Sequence, residues 1–289
     1  MNKEITSPKV SIVLPTHNGS AYIQHSIESC LRQTYFNIEL IIVDDGSTDN
    51  TPEIIKNIHD PRIQFIRSDN NVGLPTALNY GFKIATGEFL TWTSDDNFYA
   101  PDAIETMLNA LLDDERYDFV YANYQIIDEQ SHDVRLGKIK EEHDLDQDNY
   151  IGGCFLYSRK VYENIGDYNP DARLVEDYEY WLRVRQQFRM KKLDQILYFY
   201  RMHKKSLTGT HNQEDIQEQV AKVRREFIPK WKDLYLQAQK VFQQGDKKQT
   251  KILVSRSLVG NPFFGPSWRL FWLSSLSDKI VEKIRKPAG

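Results

Sequence analysis

Two adjacent carboxylates, Asp95 and Asp96, follow the apolar run Glu88-Phe89-Leu90-Thr91-Trp92. The run comes just after Gly87 and is rich in aromatic and β-branched residues, so it reads as a buried strand. Its C-terminal end then delivers both acids, and ligands of open α/β sheets bind at the carboxyl ends of strands. Neighbouring acids repel unless a positive charge joins them. A divalent cation carrying a phosphate-bearing ligand would satisfy both, whereas a polar turn leading to a helix is the alternative.

Two further acidic sets have the same character. Asp44-Asp45-Gly46-Ser47-Thr48-Asp49 closes a continuous apolar strand predicted over 39–43. Glu176-Asp177 opens a helical segment running to 188, where helix capping would also use acids.

The elements that must position these groups alternate. Strands are predicted at 10–14, ending before Pro15, and at 39–43, 63–67 and 88–92. Helices are predicted at 21–33, from about Pro52, and at 74–85. Continuous apolarity in the strands suits a parallel sheet covered on both faces. A helix over 101–112, a strand over 118–123, a polar surface loop over 129–150 and a strand after Gly152-Gly153 follow. A strand over 193–199 then leads to Arg201, placed either against a diphosphate or in a surface ion pair. Arg183, Arg185 and Arg189 are expected to face water or anions. From 212 the texture is helical, with Ile216, Val220, Val223, Phe227 and Trp231 on one long amphipathic helix, and a last helix is predicted over about 267–285.

Composition narrows the class. The 289 residues carry a net charge of −4 and 27% charged residues, so a nucleic-acid partner, which would usually call for a chain basic overall, is not expected. Cys30 and Cys154 sit in apolar patterns and read as buried small hydrophobes rather than a disulfide framework. The first residues lack a signal-peptide core, and no apolar run is long enough to span a membrane. A cytoplasmic protein is the expectation.

Five segments in one order carry a resemblance. They are Val-Ser-Ile-Val-Leu-Pro-Thr-His-Asn-Gly at 10–19, Ile-Ile-Val-Asp-Asp-Gly-Ser-Thr-Asp at 41–49, and Asn-Val-Gly-Leu-Pro-Thr-Ala-Leu-Asn-Tyr-Gly at 71–81. Gly-Glu-Phe-Leu-Thr-Trp-Thr-Ser-Asp-Asp at 87–96 and Glu-Asp-Tyr-Glu-Tyr-Trp-Leu-Arg at 176–183 complete the set. Together they resemble the family-2 inverting glycosyltransferases of GT-A fold, over about residues 8–205. The resemblance implies an α/β nucleotide-diphospho-sugar transferase fold, with a mostly parallel central sheet and helices on both faces. A catalytic domain over 1–211 and a C-terminal helical appendage over 212–289 are expected.

It also implies roles. Pro15 and Thr16 would meet the nucleobase and ribose, Asp45 would hydrogen-bond a uracil ring, and Asp44 would shape that loop. Asn79 would line the nucleotide site and Asp95 would face the ribose or donor sugar. Asp96 would ligate Mn²⁺ or Mg²⁺, with His203 beside the diphosphate and metal, and Asp177 would be the catalytic base. The Gln-x-x-Arg-Trp motif and membrane spans of processive relatives are absent, which favours transfer of a single sugar. The donor implied is a nucleotide-diphosphate sugar, UDP first, with GDP and dTDP open. The acceptor is a hydroxyl of a saccharide or lipid-linked saccharide, in cell-surface polysaccharide or glycolipid synthesis.

Two other classes compete. A nucleotidyltransferase would show a Gly-rich first loop with a following Arg or Lys, where this chain has Pro15-Thr16-His17-Asn18-Gly19. A non-catalytic carbohydrate-binding protein would not need Asp45, Asp95, Asp96 and Asp177 together. The last helix, within 262–289, could lie on a membrane surface at the inner face or pack on the body or on another copy of the chain.

Overall fold

The computed structural model describes residues 7–137, 139–210 and 212–276. The chain divides into two compact units, Met1–Val220 and Ala221–Gly289.

The first unit opens with the predicted alternation. It runs β1 (Val10–Thr16), α1 (Ile23–Leu31), β2 (Ile38–Asp44), α2 (Thr51–Lys56), β3 (Ile63–Arg67), α3 (Leu74–Ile84) and β4 (Phe89–Trp92). Next come β5 (Phe98–Tyr99), α4 (Ala103–Leu112), β6 (Phe119–Ile127), β7 (Asp133–Leu136), β8 (Phe155–Ser158), α5 (Arg159–Ile165), α6 (Glu176–Gln187), β9 (Met190–Arg201) and α7 (Leu207–Thr210). The sheet order is β3-β2-β1-β4-β8-β6-β9-β5, with β7 paired to β6. From β3 to β4 every pairing is parallel. Every residue of β1 and β2 is buried, which is why their apolar runs do not alternate.

Two features of this sheet place the site. After β1 the chain moves to β2 on one side, and later to β4 on the other, so the strand order reverses between β1 and β4. A crevice at the carboxyl end of that switch point is the usual ligand position in such sheets. In addition, β8 pairs antiparallel with both β4 and β6. Its first residue therefore meets the end of β4, and the segment before Gly152-Gly153 arrives at the same edge.

Several boundaries differ from the sequence reading. β1 continues through Pro15 to Thr16 because its ladder to β4 ends at Val13, so the missing N–H falls beyond that partner. The 129–150 stretch is not a plain loop. It contains β7 and a 3₁₀ turn at Glu142–Asp146 whose Leu145 and Asp146 are buried. Arg183 and Arg185 do not face water: Arg183 pairs with Glu179 at 2.8 Å and Arg185 with Asp146 at 2.7 Å. Cys30 and Cys154 are free and fully buried, and burial pushes the Cys30 thiol up to about 12.

The remaining helices are α8 (Gln213–Phe227), α9 (Lys230–Gln243), α10 (Lys247–Gly260) and α11 (Gly265–Ser275). The single helix predicted through Trp231 stops at Phe227, because Pro229 cannot continue it and caps α9 instead. Asp246 caps α10 by accepting the Gln249 N–H at 2.8 Å. Ala238, Phe242, Leu253, Val254, Leu258 and Leu270 form this unit's own core. The part of the predicted last helix beyond 276 lies outside the described residues. Among the described residues no helix is long and apolar enough to cross a membrane.

Candidate active site

The switch point is closed by one hydrogen bond. The Thr16 hydroxyl, ending β1, donates to Asp95 Oδ2 at 2.5 Å, just past β4. Gly19 lies against the same pair: a Cβ there would stand 2.1 Å from Asp95 Oδ2 and 2.6 Å from Thr16 Oγ1. Only glycine admits this approach. Burial, and then the charge of Asp96, lift the Asp95 carboxyl to about 7 against the pull of the Thr16 hydroxyl.

Asp96 faces His203, whose Nε2 is 2.9 Å from Asp96 Oδ2. The other oxygen, Asp96 Oδ1, is buried with no hydrogen-bond partner. Burial raises the Asp96 carboxyl above its ordinary range, and His203 opposes that rise. An orphaned carboxylate oxygen is costly unless something positive meets it. Oxygen beside imidazole nitrogen suits a hard or borderline divalent cation, so these two residues fit the expected Mg²⁺ or Mn²⁺. Among the described residues no cluster of three or more His, Cys, Asp or Glu could hold a metal. Further ligand positions would then fall to phosphate oxygens or water, as Mg²⁺ commonly uses at nucleotides.

Arg201 is not in a surface ion pair. It is 2% exposed, and its guanidinium donates to the backbone oxygens of Asp96, Asp128 and Glu129 and to Ser131 Oγ. It lies over the Tyr22 ring at 4.5 Å. Its backbone N–H also donates to Asn97 Oδ1 at 2.8 Å. Arg201 therefore ties the Asp96 loop to the β6–β7 turn.

The second acidic pair organises the loops beside the switch point. Asp45 accepts the N–H groups of Val72 and Gly73 at 2.8 and 2.9 Å, fastening the 70–73 loop. Its own N–H donates to the Thr16 oxygen at 2.8 Å, which joins it to the β1 end. Asp44 accepts the Ser47 N–H at 3.0 Å and stands 3.1 Å from Arg67 Nε. His17 Nδ1 contacts the Asp45 oxygen at 2.7 Å, as a loop hydrogen-bonder. Asn18, at φ 56°, staples the two loops by accepting the Thr48 and Asp49 N–H groups. An open hollow of about 390 Å³ lies alongside, lined by Arg67, Asn70, Val72 and Tyr80 among others.

Asp177 sits in the first turn of α6. Its Oδ1 accepts the Tyr178 N–H at 2.6 Å and its Oδ2 accepts Asn149 Nδ2 at 2.7 Å. Asn149 belongs to the segment that reaches the carboxyl edge before β8. A second tie runs from the end of β4: Trp92 Nε1 donates to the Tyr168 hydroxyl at 3.0 Å, and Tyr168 stacks on Tyr180 of α6 at 4.1 Å. Leu174, two residues before α6, takes a φ of 72°, a strained setting for a branched side chain. Burial raises the Asp177 carboxyl, against the Tyr178 N–H and Asn149. Glu176 is 5% exposed with Oε2 unpartnered, and burial followed by the Asp177 charge lifts it to about 8. Both carboxyls are thus held above the ordinary range by burial, and each disfavours the charge of the other.

Thr16, Asp45 and Asp95 therefore touch one another's neighbourhoods directly, Asp96 and His203 adjoin them, and Asp177 is tied to the same sheet edge. Pro15 is buried within β1. Asn79 docks the Tyr168 segment: its side-chain oxygen accepts the Tyr168 N–H and its amide N–H donates to the Tyr168 oxygen, both at 2.8 Å. Asn149, Gly19 and Tyr168 escaped sequence reasoning. The first lies in a stretch without periodicity, and the others act through contacts remote in sequence.

Residues 11–178 match the model of the family described as glycosyl transferase family 2. An uncharacterized glycosyltransferase of Rickettsia typhi is 33% identical over 73% of this chain and 69% of its own length. The UDP-Glc:alpha-D-GlcNAc-diphosphoundecaprenol beta-1,3-glucosyltransferase WfaP of Escherichia coli is 29% identical over 72% of this chain and 83% of its own. Among solved structures, residues 1–349 of S. aureus TarS in complex with UDP-GlcNAc superpose with a TM-score of 0.64. That match has 16% identity over 86% of this chain and 80% of the other, a likeness of fold. Motif order, switch-point geometry and the family match agree, and the chain belongs to glycosyl transferase family 2 as a glycosyltransferase of GT-A fold.

Proposed function

We propose that this glycosyltransferase moves a single sugar from a UDP-sugar to a hydroxyl acceptor, with inversion at the anomeric carbon and with Mg²⁺ or Mn²⁺ bound. Residues 1–211 carry the catalysis and the C-terminal helices are an appendage. The observation that carries the reading is Asp177. Its carboxyl is held by a helix N-terminus and by Asn149, at the sheet edge where Asp95 and Asp96 follow β4.

Asp177 takes the proton of the acceptor hydroxyl as that oxygen attacks, a form of help worth ~10²–10⁴ in rate. Attack opposite the diphosphate inverts the centre in one displacement. The cation, when bound, neutralises charge on the departing diphosphate. Asp96 and His203 would hold it, Arg201 keeps the Asp96 backbone in place, and Thr16 fixes Asp95 towards the ribose or donor sugar. Asp45 orders the 70–73 loop beside the nucleobase. Uridine as the carrier is supported by the UDP-GlcNAc complex of TarS and the UDP-Glc named for WfaP. The diphosphoundecaprenol in the latter's name favours a lipid-linked saccharide acceptor, in cell-surface glycan synthesis.

A donor panel read by thermal shift and by nucleoside diphosphate release, with and without Mn²⁺, tests this. UDP-sugars should stabilise the protein in a metal-dependent way and release UDP. Stabilisation by nucleoside triphosphates alone, with pyrophosphate release, would favour a nucleotidyltransferase instead.

A further inference from the structure

Charge is divided very unevenly along this chain. Of its 37 Lys and Arg and 41 Asp and Glu, residues 221–289 hold 15 and 5, so that segment carries +10. Residues 1–220 hold the other 22 and 36 and carry −14. The same C-terminal unit exposes large apolar side chains. Phe263 is 93% exposed, Val259 87%, Trp272 64% and Trp268 44%.

These side chains lie on or beside the short loop between α10 and α11. Trp268 and Trp272 are one turn apart on α11 and share a face. The Trp268 indole donates to the Pro262 oxygen at 2.8 Å, which brings its ring beside the loop that carries Phe263. Val259 ends α10 just before that loop, with Arg256 exposed one turn earlier and Arg269 exposed next to Trp268. The unit's core is already filled by Phe242, Leu253, Leu258 and their neighbours, so the exposed aromatics are surplus to folding. Exposed apolar side chains gathered around one loop mark an interaction site.

We propose that this face of α10, α11 and the loop between them docks on an anionic lipid surface, with Phe263, Trp268 and Trp272 entering the headgroup region and Arg256 and Arg269 meeting lipid phosphates. Amphipathic aromatic rings with basic residues around them are the side chains that settle at such an interface. The +10 charge selects an anionic surface over a neutral one. A second copy of the unit would bring +10 against +10, which disfavours self-association through this face. Docking there would bring the enzyme to where lipid-linked saccharides reside.

Sedimentation of the full chain with vesicles provides the test. Binding to phosphatidylcholine vesicles containing phosphatidylglycerol is expected, with little binding to phosphatidylcholine alone. Raising salt from about 0.1 to about 0.5 M should weaken it roughly tenfold or more, since the Debye length shortens. The Phe263→Ser/Trp272→Ser and Arg256→Glu/Arg269→Glu variants should each bind at least tenfold more weakly, with their UDP-dependent thermal shift unchanged. Equal binding to both vesicle types, no binding, or variants that bind as wild type would overturn the proposal. So would a stable dimer by size exclusion that the Phe263→Ser/Trp272→Ser variant splits into monomers. Sedimentation needs no turnover, so an error in the donor or base assignment leaves this result untouched.

Discussion

His203 Nε2 stands 2.9 Å from Asp96 Oδ2 while Asp96 Oδ1 is buried without a partner. One carboxylate thus has one oxygen answered and one left over. Replacing Asp96 by Ala is expected to remove the metal-dependent part of UDP affinity, and chelation should do the same to wild type. His203→Ala should raise the Mn²⁺ concentration needed for half-maximal activity at least about tenfold, if one of the two proposed protein ligands is lost. Isothermal calorimetry with and without Mn²⁺ reads both. Unchanged affinity in Asp96→Ala would remove the metal assignment.

Asp177→Asn should lower transfer by about 10²–10⁴ and leave donor binding within about threefold of wild type, because only proton abstraction is lost. Asn149→Ala leaves the carboxylate but frees its orientation. A fall of about tenfold in kcat with little change in donor affinity is expected. Single-turnover assays beside UDP titrations separate the two effects, and more than a tenth of wild-type transfer in Asp177→Asn would exclude it as the base.

Glu176 is raised to about 8 from an ordinary value of 4.5. The folded state therefore binds a proton that the unfolded state has released between those values, so this group's contribution to stability falls as pH rises through that window. Glu176→Gln keeps the neutral form. It should match wild type in thermal melting near pH 4.5, exceed it near pH 8, and retain most activity at neutral pH. A loss of activity beyond tenfold at pH 7 would mean that ionised Glu176 is used. Asp177 is itself raised, so wild-type kcat/KM should climb with pH through a point above the usual carboxylate range as the base ionises.

Gly19→Ala would set a methyl 2.1 Å from Asp95 Oδ2 and 2.6 Å from Thr16 Oγ1. Overpacking of this sort costs about 1–3 kcal/mol. The larger expected effect is at the switch point: the Thr16–Asp95 bond must open, weakening donor affinity by about tenfold or more with the fold intact. Circular dichroism with UDP-sugar titration checks this, and wild-type affinity would show that Asp95 needs no such support.

Much of the fold was legible because its parallel strands are covered on both faces, so their runs stay apolar without alternation and end at acids. Pro15 misled, since whether a missing N–H matters depends on how far the β4 ladder reaches. Pro229 was undervalued because the apolar spacing from Ile216 to Trp231 persists across a break that only the ring's lost hydrogen bond causes. That Asn79 fastens the Tyr168 backbone was not legible, because nothing in sequence says which remote backbone a side-chain amide will meet.

Residue types and their order placed the acids at strand ends and a helix start, and five motifs in succession carried the resemblance that named the reaction class. Which partner each acid meets was decided by topology alone. The reversal of strand order between β1 and β4 brings Thr16 to Asp95, and the antiparallel entry of β8 brings Asn149 to Asp177. Those contacts join positions 79 and 28 residues apart, and no local pattern encodes separations that arise only when the sheet closes.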